Sequence, residues 1–264
     1  MSAINTSSVV SETYDIEFDS GRHTSGKLGF VLLATEQTVQ DDMYRICPNH
    51  VGLHFTRVNN PDIISNETLT AIAPDLTRAA STLLPDGSLD VITYACTSGS
   101  LVLGQDKVHG LLNKGAPDAK ASCIIAAVVR ALRAVDAQKI VVATPYLDEV
   151  NTAEKVYLEE KGFEVLNIQG LNLEKDSDMV RVTPGFIAHM ASELDQADAD
   201  AIFISCGALR SVEVIEVLEE KLNKPVITSN QAMAWDSLRL AGINTAIEGF
   251  GRLLSEVSLV HSPD

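Results

Sequence analysis

Two stretches decide how this chain folds: Asp90-Val-Ile-Thr-Tyr-Ala-Cys96-Thr-Ser-Gly99 and Ala201-Ile-Phe-Ile-Ser-Cys206-Gly-Ala-Leu209. Each is a short apolar run rich in β-branched and aromatic residues, followed by a cysteine and then by small residues that open a helical segment. The two cysteines are about 110 residues apart, close to half the ordered length, so the chain reads as two related halves.

Outward from these anchors the punctuation is regular. In the first half, strands are expected at Leu28–Ala34, Val51–Val58 and Asp90–Ala95. Helices are expected over Thr35–Cys47, Glu67–Leu84 and Gly99–Leu112, the last two stopped by Pro85-Asp86-Gly87 and Gly115-Ala116-Pro117. Further along the chain the helices are Ile124–Val135, Leu147–Lys161, Thr183–Leu194 (with Pro184 in its first turn), Val212–Leu222 and Gln231–Leu240. They alternate with strands at Lys139–Ala143, Phe163–Ile168, Ala201–Ser205 and Pro225–Thr228. Alternating strands and helices imply an α/β protein with parallel, doubly wound sheets. The expected division is a polar arm over 1–26, a first half over 27–118 plus 225–264, and a second half over 119–224.

Composition agrees with this class. The 264 residues are 45% hydrophobic but only 5% aromatic, so aliphatic side chains fill the core, as suits parallel strands covered on both faces. A net charge of −16 argues against nucleic acid and against an anionic membrane surface as partners. No apolar run is long enough to span a bilayer and no secretory leader opens the sequence, so a cytoplasmic protein is expected.

The four cysteines, Cys47, Cys96, Cys123 and Cys206, form no C-x-x-C pair and none sits near a histidine at metal-ligand spacing. Neither a disulfide framework nor a metal site is expected. No G-x-G-x-x-G or phosphate-binding loop is present, so no nucleotide cofactor is expected either. Cys47 and Cys123 read as packing residues. Cys96 and Cys206 stand at the carboxyl ends of strands, where parallel sheets bind ligands, and a following helix N-terminus would lower a thiol pKa. Buried packing is the competing reading for each, weakened because the two turns match.

Other candidates occupy equivalent strand ends. Thr97, Ser98 and Gly207 offer hydroxyls and backbone N–H groups to a carboxylate. Tyr146 follows the Lys139–Ala143 strand, with its hydroxyl either in the cleft or capping the core edge. Glu36 and Gln37 follow the first strand, with a solvated helix start as the alternative. Asn230 reads as a helix cap, and Trp235 and Asp236 as structural.

These residues resemble the Asp/Glu racemase superfamily, in its maleate isomerase and arylmalonate decarboxylase branch. The matching stretches are Ala95-Cys96-Thr-Ser-Gly-Ser100, Ala143-Thr-Pro-Tyr146-Leu-Asp-Glu-Val-Asn151, Ser205-Cys206-Gly-Ala-Leu209 and Gly249-Phe-Gly-Arg-Leu253, which spread the likeness over residues 27–254. Within it, LLATEQTVQDDM, YACTSGSL, QGLNLEKDSDMVRV and SCGALRS are similar to the ectoine utilisation proteins.

The resemblance implies two pseudo-symmetric Rossmann-like α/β/α halves with an interdomain cleft, no cofactor and a homo-oligomer. It also implies Cys96 and Cys206 as the catalytic pair. Racemases of this kind pass a proton between two thiols, and the isomerases attack an alkene with the first cysteine. The decarboxylases carry glycine there, so Cys96 speaks against decarboxylation. Where the isomerases have an asparagine-bearing turn, this chain has Ala34-Thr-Glu-Gln-Thr38, and a second family asparagine falls near GLNLEKDSD, with Glu174, Asp176 and Asp178. An acid at Glu36 would repel maleate and pair with an ammonium. The expected activity is therefore a racemase or isomerase of a small amino-acid-type carboxylate in ectoine degradation. A maleate-type cis-trans isomerase is the runner-up; an arylmalonate-type decarboxylase or an inert ligand-binding protein ranks below it.

Overall fold

A computed structural model of the chain describes residues 9–256. The part of the expected N-terminal arm before residue 9, and the last residues assigned to the first half, 257–264, lie outside the described residues. Residues 9–25 form neither helix nor strand.

The first half contains β1 (Lys27–Leu33), α1 (Val39–Ile46), β2 (Gly52–Val58), α2 (Asn66–Ala71) and α3 (Ala73–Ala80). It continues with β3 (Val91–Tyr94), α4 (Thr97–Leu103), α5 (Gln105–Gly115), β4 (Lys120–Cys123) and α6 (Ile124–Ala134). The second half has β5 (Lys139–Thr144), α7 (Asp148–Glu160), β6 (Glu164–Gly170), α8 (Asp176–Met179), α9 (Pro184–Leu194) and β7 (Ala201–Ile204). A 3-10 turn at Val212–Val214 leads into α10 (Ile215–Leu222), β8 (Val226–Thr228), α11 (Ser229–Leu240) and α12 (Arg252–Ser255).

Among the described residues the strands form two four-stranded sheets, ordered β2-β1-β3-β4 and β6-β5-β7-β8, and every strand pair in them is parallel. The orders are the same pattern used twice. In each sheet the chain builds one edge and then crosses over to the other side of the first strand. The crevice therefore opens beside β1/β3 in one half and β5/β7 in the other.

The sheets are joined through helices. α6 packs on α11, and between them they touch β3, β4 and β8, so strands of both sheets bear on one shared helical layer. Residues Ser229–Arg239 of α11 are all buried, which explains why this segment lacks the clean polar stripe of a surface helix. Asp236 of α11 accepts from Arg130 of α6 and from Ser122 beside it, a part-buried pairing that fixes the two helices. Its reading as structural holds. Aliphatic strands make up the core: Leu28–Leu33, Ile140–Val142 and Ala201–Ile204 are all buried.

Several boundaries are corrected. The short, partly polar strand Lys120–Cys123 pairs with β3 and was not foreseen, because four residues give no readable alternation. It belongs to the first sheet, and β8 pairs with β7 in the second, so the expected boundaries at 119 and 225 do not follow the sheets. The helix expected over 67–84 is two, with Pro74 in the first turn of α3, where its missing N–H prevents a continuous ladder. The helix expected over 99–112 starts at Thr97 and breaks at Gly104, whose φ of +81° departs from helical geometry. Among the described residues, no helix is long and apolar enough to cross a membrane.

Candidate active site

The turns after β1, β3, β5 and β7 meet in one cleft of ≈ 320 Å³. Glu36 comes from the first turn, Cys96, Thr97 and Ser98 from the second, Tyr146 from the third, and Cys206, Gly207 and Ala208 from the fourth. Five of the six expected binding residues, and both cysteines, thus line the same space. Gln37 does not: its neighbour Glu36 turns inward, and Gln37 is left exposed.

Cys96 is the N-cap of α4, its sulfur accepting the Gly99 N–H at 3.3 Å with Ser98 Oγ at 3.7 Å. Gly99 is required there. A Cβ would stand 3.0 Å from Cys96 Sγ and collide with the Tyr94 hydroxyl.

Cys206 is built differently. No helix follows it directly, only a turn before the 3-10 segment, so the expected helix N-terminus is absent at this cysteine. Its φ is +96°, a left-handed conformation that costs a non-glycine residue about 1–3 kcal/mol and persists only where neighbours hold it. The holding contacts are present. Cys206 N–H donates to Ser229 Oγ at 3.0 Å, and the sulfur accepts the Ala208 N–H at 3.4 Å and lies 4.0 Å from Met179 Sδ.

The expectation of thiols with lowered pKa is overturned. Both sulfurs are buried, at 7% and 5% residue exposure, and loss of hydration outweighs the N–H groups facing them. Burial pushes Cys96 up to about 11, against the opposing Gly99 N–H and Ser98 hydroxyl. Cys206 is raised as well, first by burial and then by the negative charge of Asp176. The Tyr146 hydroxyl interacts with the Cys206 sulfur, and burial raises that phenol too.

Two acids share the cleft with these thiols. Glu36 Oε1 accepts the N–H groups of Thr38 and Val39 at 2.5 and 2.7 Å, which locks the carboxylate over the start of α1. Its Oε2 is buried without a partner among the described residues, and burial raises the group to about 7. Asp176, at the start of α8, accepts from Thr35 Oγ1 at 2.5 Å and is likewise raised by burial.

Asp176 reaches the cleft because two distant segments pair. Ile64 N–H donates to the Glu174 carbonyl at 2.9 Å and Asp176 N–H to the Asp62 carbonyl at 3.0 Å, beside an antiparallel bridge between Ile63 and Lys175. The acidic run 174–178 is visible in the sequence. Which of its members turns inward is set by this pairing. Among the described residues the lining includes no Lys, Arg or His, so a bound carboxylate would rest on hydroxyls and backbone N–H groups.

Sequence reasoning missed two residues of α11. Ser229 accepts from Thr97 Oγ1 at 3.1 Å as well as from Cys206 N–H, and so ties the two cysteine turns together. Asn230 is not the helix cap. Thr228 caps α11 in a reciprocal box with Gln231, and Asn230 is buried beneath the Cys206 turn.

Comparison with known proteins fits this geometry. The arylmalonate decarboxylase family model matches residues 59–254. A maleate isomerase of Nocardia farcinica is 29% identical over 89% of this chain and 97% of its own. The arylmalonate decarboxylase of Bordetella bronchiseptica is 33% identical over 49% of this chain and 55% of its own. Among solved structures, a cysteine-to-serine mutant of the N. farcinica maleate cis-trans isomerase with a covalently bound succinylcysteine intermediate superposes with a TM-score of 0.81. It shares 26% identity and covers 88% of this chain and 99% of that one. With two cysteines in one cleft, a matching two-sheet fold and relatives over its length, the chain belongs to the arylmalonate decarboxylase family and is an enzyme of its isomerase kind.

Proposed function

We propose that this protein is a cofactor-independent, two-cysteine racemase or epimerase of a small amino-acid-type carboxylate, acting in ectoine degradation. The observation that carries the reading is the pair Cys96 and Cys206 lining one cleft together with the buried acids Glu36 and Asp176. In each turnover one cysteine, as thiolate, takes the α-proton, and the C–H electron pair passes into the substrate carboxylate. The other cysteine, as thiol, returns a proton to the opposite face, so the two sulfurs exchange protonation states. Thr97, Ser98, Tyr146 and the backbone at Gly207 stabilise the doubly negative carboxylate of the intermediate.

The acids supply the specificity. Glu36 Oε2 lacks a partner among the described residues, and an ammonium group of the substrate would provide one. The charge of Asp176 helps to raise both thiols, so a cation beside it favours formation of the thiolate the reaction needs. Substrate binding and thiol ionisation are then coupled. A diaminobutyrate-type substrate, carrying both carboxylate and ammonium, agrees with the similarity to ectoine utilisation proteins.

The rival is a maleate-type cis-trans isomerase, supported by the full-length similarity to proteins named maleate isomerase. There Cys96 would add to the alkene as a nucleophile while Cys206 protonates the neighbouring carbon. Rotation about the new single bond and reversal of both steps would release the product. NMR in D2O with a panel of amino acids, diaminobutyrates and maleate separates the two. Deuterium appearing at an α-carbon, and lost in Cys96→Ser and Cys206→Ser, supports racemisation. A succinyl adduct trapped on Cys96, with no exchange into amino acids, would sink it.

A further inference from the structure

The backbone of the Cys206 turn is gripped residue by residue. Cys206 N–H donates to Ser229, the Gly207 carbonyl accepts from Asn230 Nδ2 at 2.8 Å, and the Ala208 carbonyl accepts from Thr38 Oγ1 at 2.9 Å. The second Nδ2 proton of Asn230 goes to Asp42 Oδ2, also at 2.8 Å. A carbonyl and a carboxylate oxygen are acceptors only, so a group bridging them has to be the amide NH2, and the orientation of Asn230 is determined. Both residues are buried, at 0% and 3% exposure, and neither lines the cleft.

The Gly207–Ala208 peptide transmits this grip. It is a rigid plane, with its carbonyl pinned by Asn230 and its N–H donating to Cys206 Sγ at 3.4 Å. Turning the plane to satisfy one bond differently forfeits the other. The turn is also packed tightly against its clamp, since a Cβ on Gly207 would lie 3.2 Å from both Asn230 Oδ1 and Val39 Cγ2. A cysteine at φ +96° needs such over-determination to keep its sulfur in one place.

We propose that Asn230, oriented by Asp42, is a positioning residue that fixes the Gly207–Ala208 peptide and thereby holds the Cys206 sulfur in the geometry for proton transfer. The role in turnover rests on the function proposed above; the control of Cys206 itself does not.

The test compares Asp42→Asn, Asn230→Asp and the exchange Asp42→Asn/Asn230→Asp with wild type. Three quantities are read: melting temperature, iodoacetamide labelling of each cysteine by peptide mass spectrometry, and kcat and KM. Asp42→Asn keeps an acceptor for Asn230 and is expected within threefold of wild type throughout. Asn230→Asp removes the donor to Gly207. Cys206 then labels at least fivefold faster while Cys96 stays within twofold, and kcat falls at least tenfold with KM within threefold.

The exchange is decisive, because it restores a hydrogen bond between positions 42 and 230 yet offers Gly207 no donor. Melting temperature recovers, while Cys206 labelling and kcat remain at the Asn230→Asp level. Recovery of all three would show that the pair only packs α1 against α11, and would overturn the proposal. Should Asn230→Asp fail to fold, the exchange alone decides by the same readouts. Should no substrate be turned over, the labelling rates still decide whether Asn230 controls Cys206, separately from the assigned reaction.

Discussion

Thr97 Oγ1 donates to Ser229 Oγ at 3.1 Å, joining residues 132 positions apart in the chain. The same oxygen accepts the N–H of Cys206, so a single buried hydroxyl couples the turn carrying one cysteine to the turn carrying the other. Ser229→Ala strands a buried N–H and frees both turns. Equilibrium unfolding in urea should show a loss of about 1–3 kcal/mol, the cost of an unsatisfied buried donor. Turnover should fall at least tenfold. A variant as stable and as active as wild type would show that this hydroxyl does not couple the turns.

Glu36→Gln keeps an oxygen for the Thr38 and Val39 N–H groups and removes the charge. For an amine-bearing substrate KM should rise at least tenfold, about 1.4 kcal/mol of lost binding. A carboxylate without an amine should not lose affinity. Steady-state kinetics on the two substrate types checks this, and equal effects on both would argue against an ammonium at Glu36.

Glu154 is fully buried in α7, accepts from Ser205 Oγ at 2.6 Å through one oxygen and leaves the other without a partner among the described residues. Burial raises it from 4.5 to about 7. Between those values the native state holds a proton that the unfolded chain has released, so this carboxyl favours folding at low pH and the benefit is lost as pH rises toward 7. Glu154→Gln should match wild type near pH 4.5 and exceed it at pH 8 by on the order of 2 kcal/mol. Urea unfolding at both pH values measures the difference; a variant less stable at pH 8 would show that the charged form has a role here.

Cys96, held up to about 11, should react with iodoacetamide at a rate that keeps rising from pH 8 to 10 without a plateau. A bound ammonium-bearing ligand offsets Asp176 and should bring the midpoint down wherever reagent can still enter. Labelling followed by mass spectrometry gives the profile, and a plateau below pH 8 in the ligand-free protein would contradict the burial argument.

Much of this arrangement was readable from local chemistry. Apolar runs such as Asp90–Ala95 and Ala201–Ser205 mark strands because β-branched side chains favour the pleated backbone, and their repetition disclosed the two halves. The same reading put Glu36, Cys96, Tyr146 and Cys206 at strand ends, and those ends do meet. It failed where a neighbour in space decides. Glu36 and Gln37 are adjacent and equally polar, yet only Glu36 turns in, because its carboxylate caps α1. Asn230 looked like a helix cap because it stands near a helix start, but Thr228 holds that place and Asn230 serves the Cys206 turn.

The sequence by itself determined the α/β class, the doubled plan and the two cysteines, since these follow from periodicity and composition within short windows. Only the tertiary structure decided that Asp176 enters the cleft and that Ser229 and Asn230 grip the cysteine turns. It also showed that burial raises the thiols where a helix end was expected to lower them. Each of these depends on groups far apart in the chain and on the water they exclude, and no local pattern of residues records either.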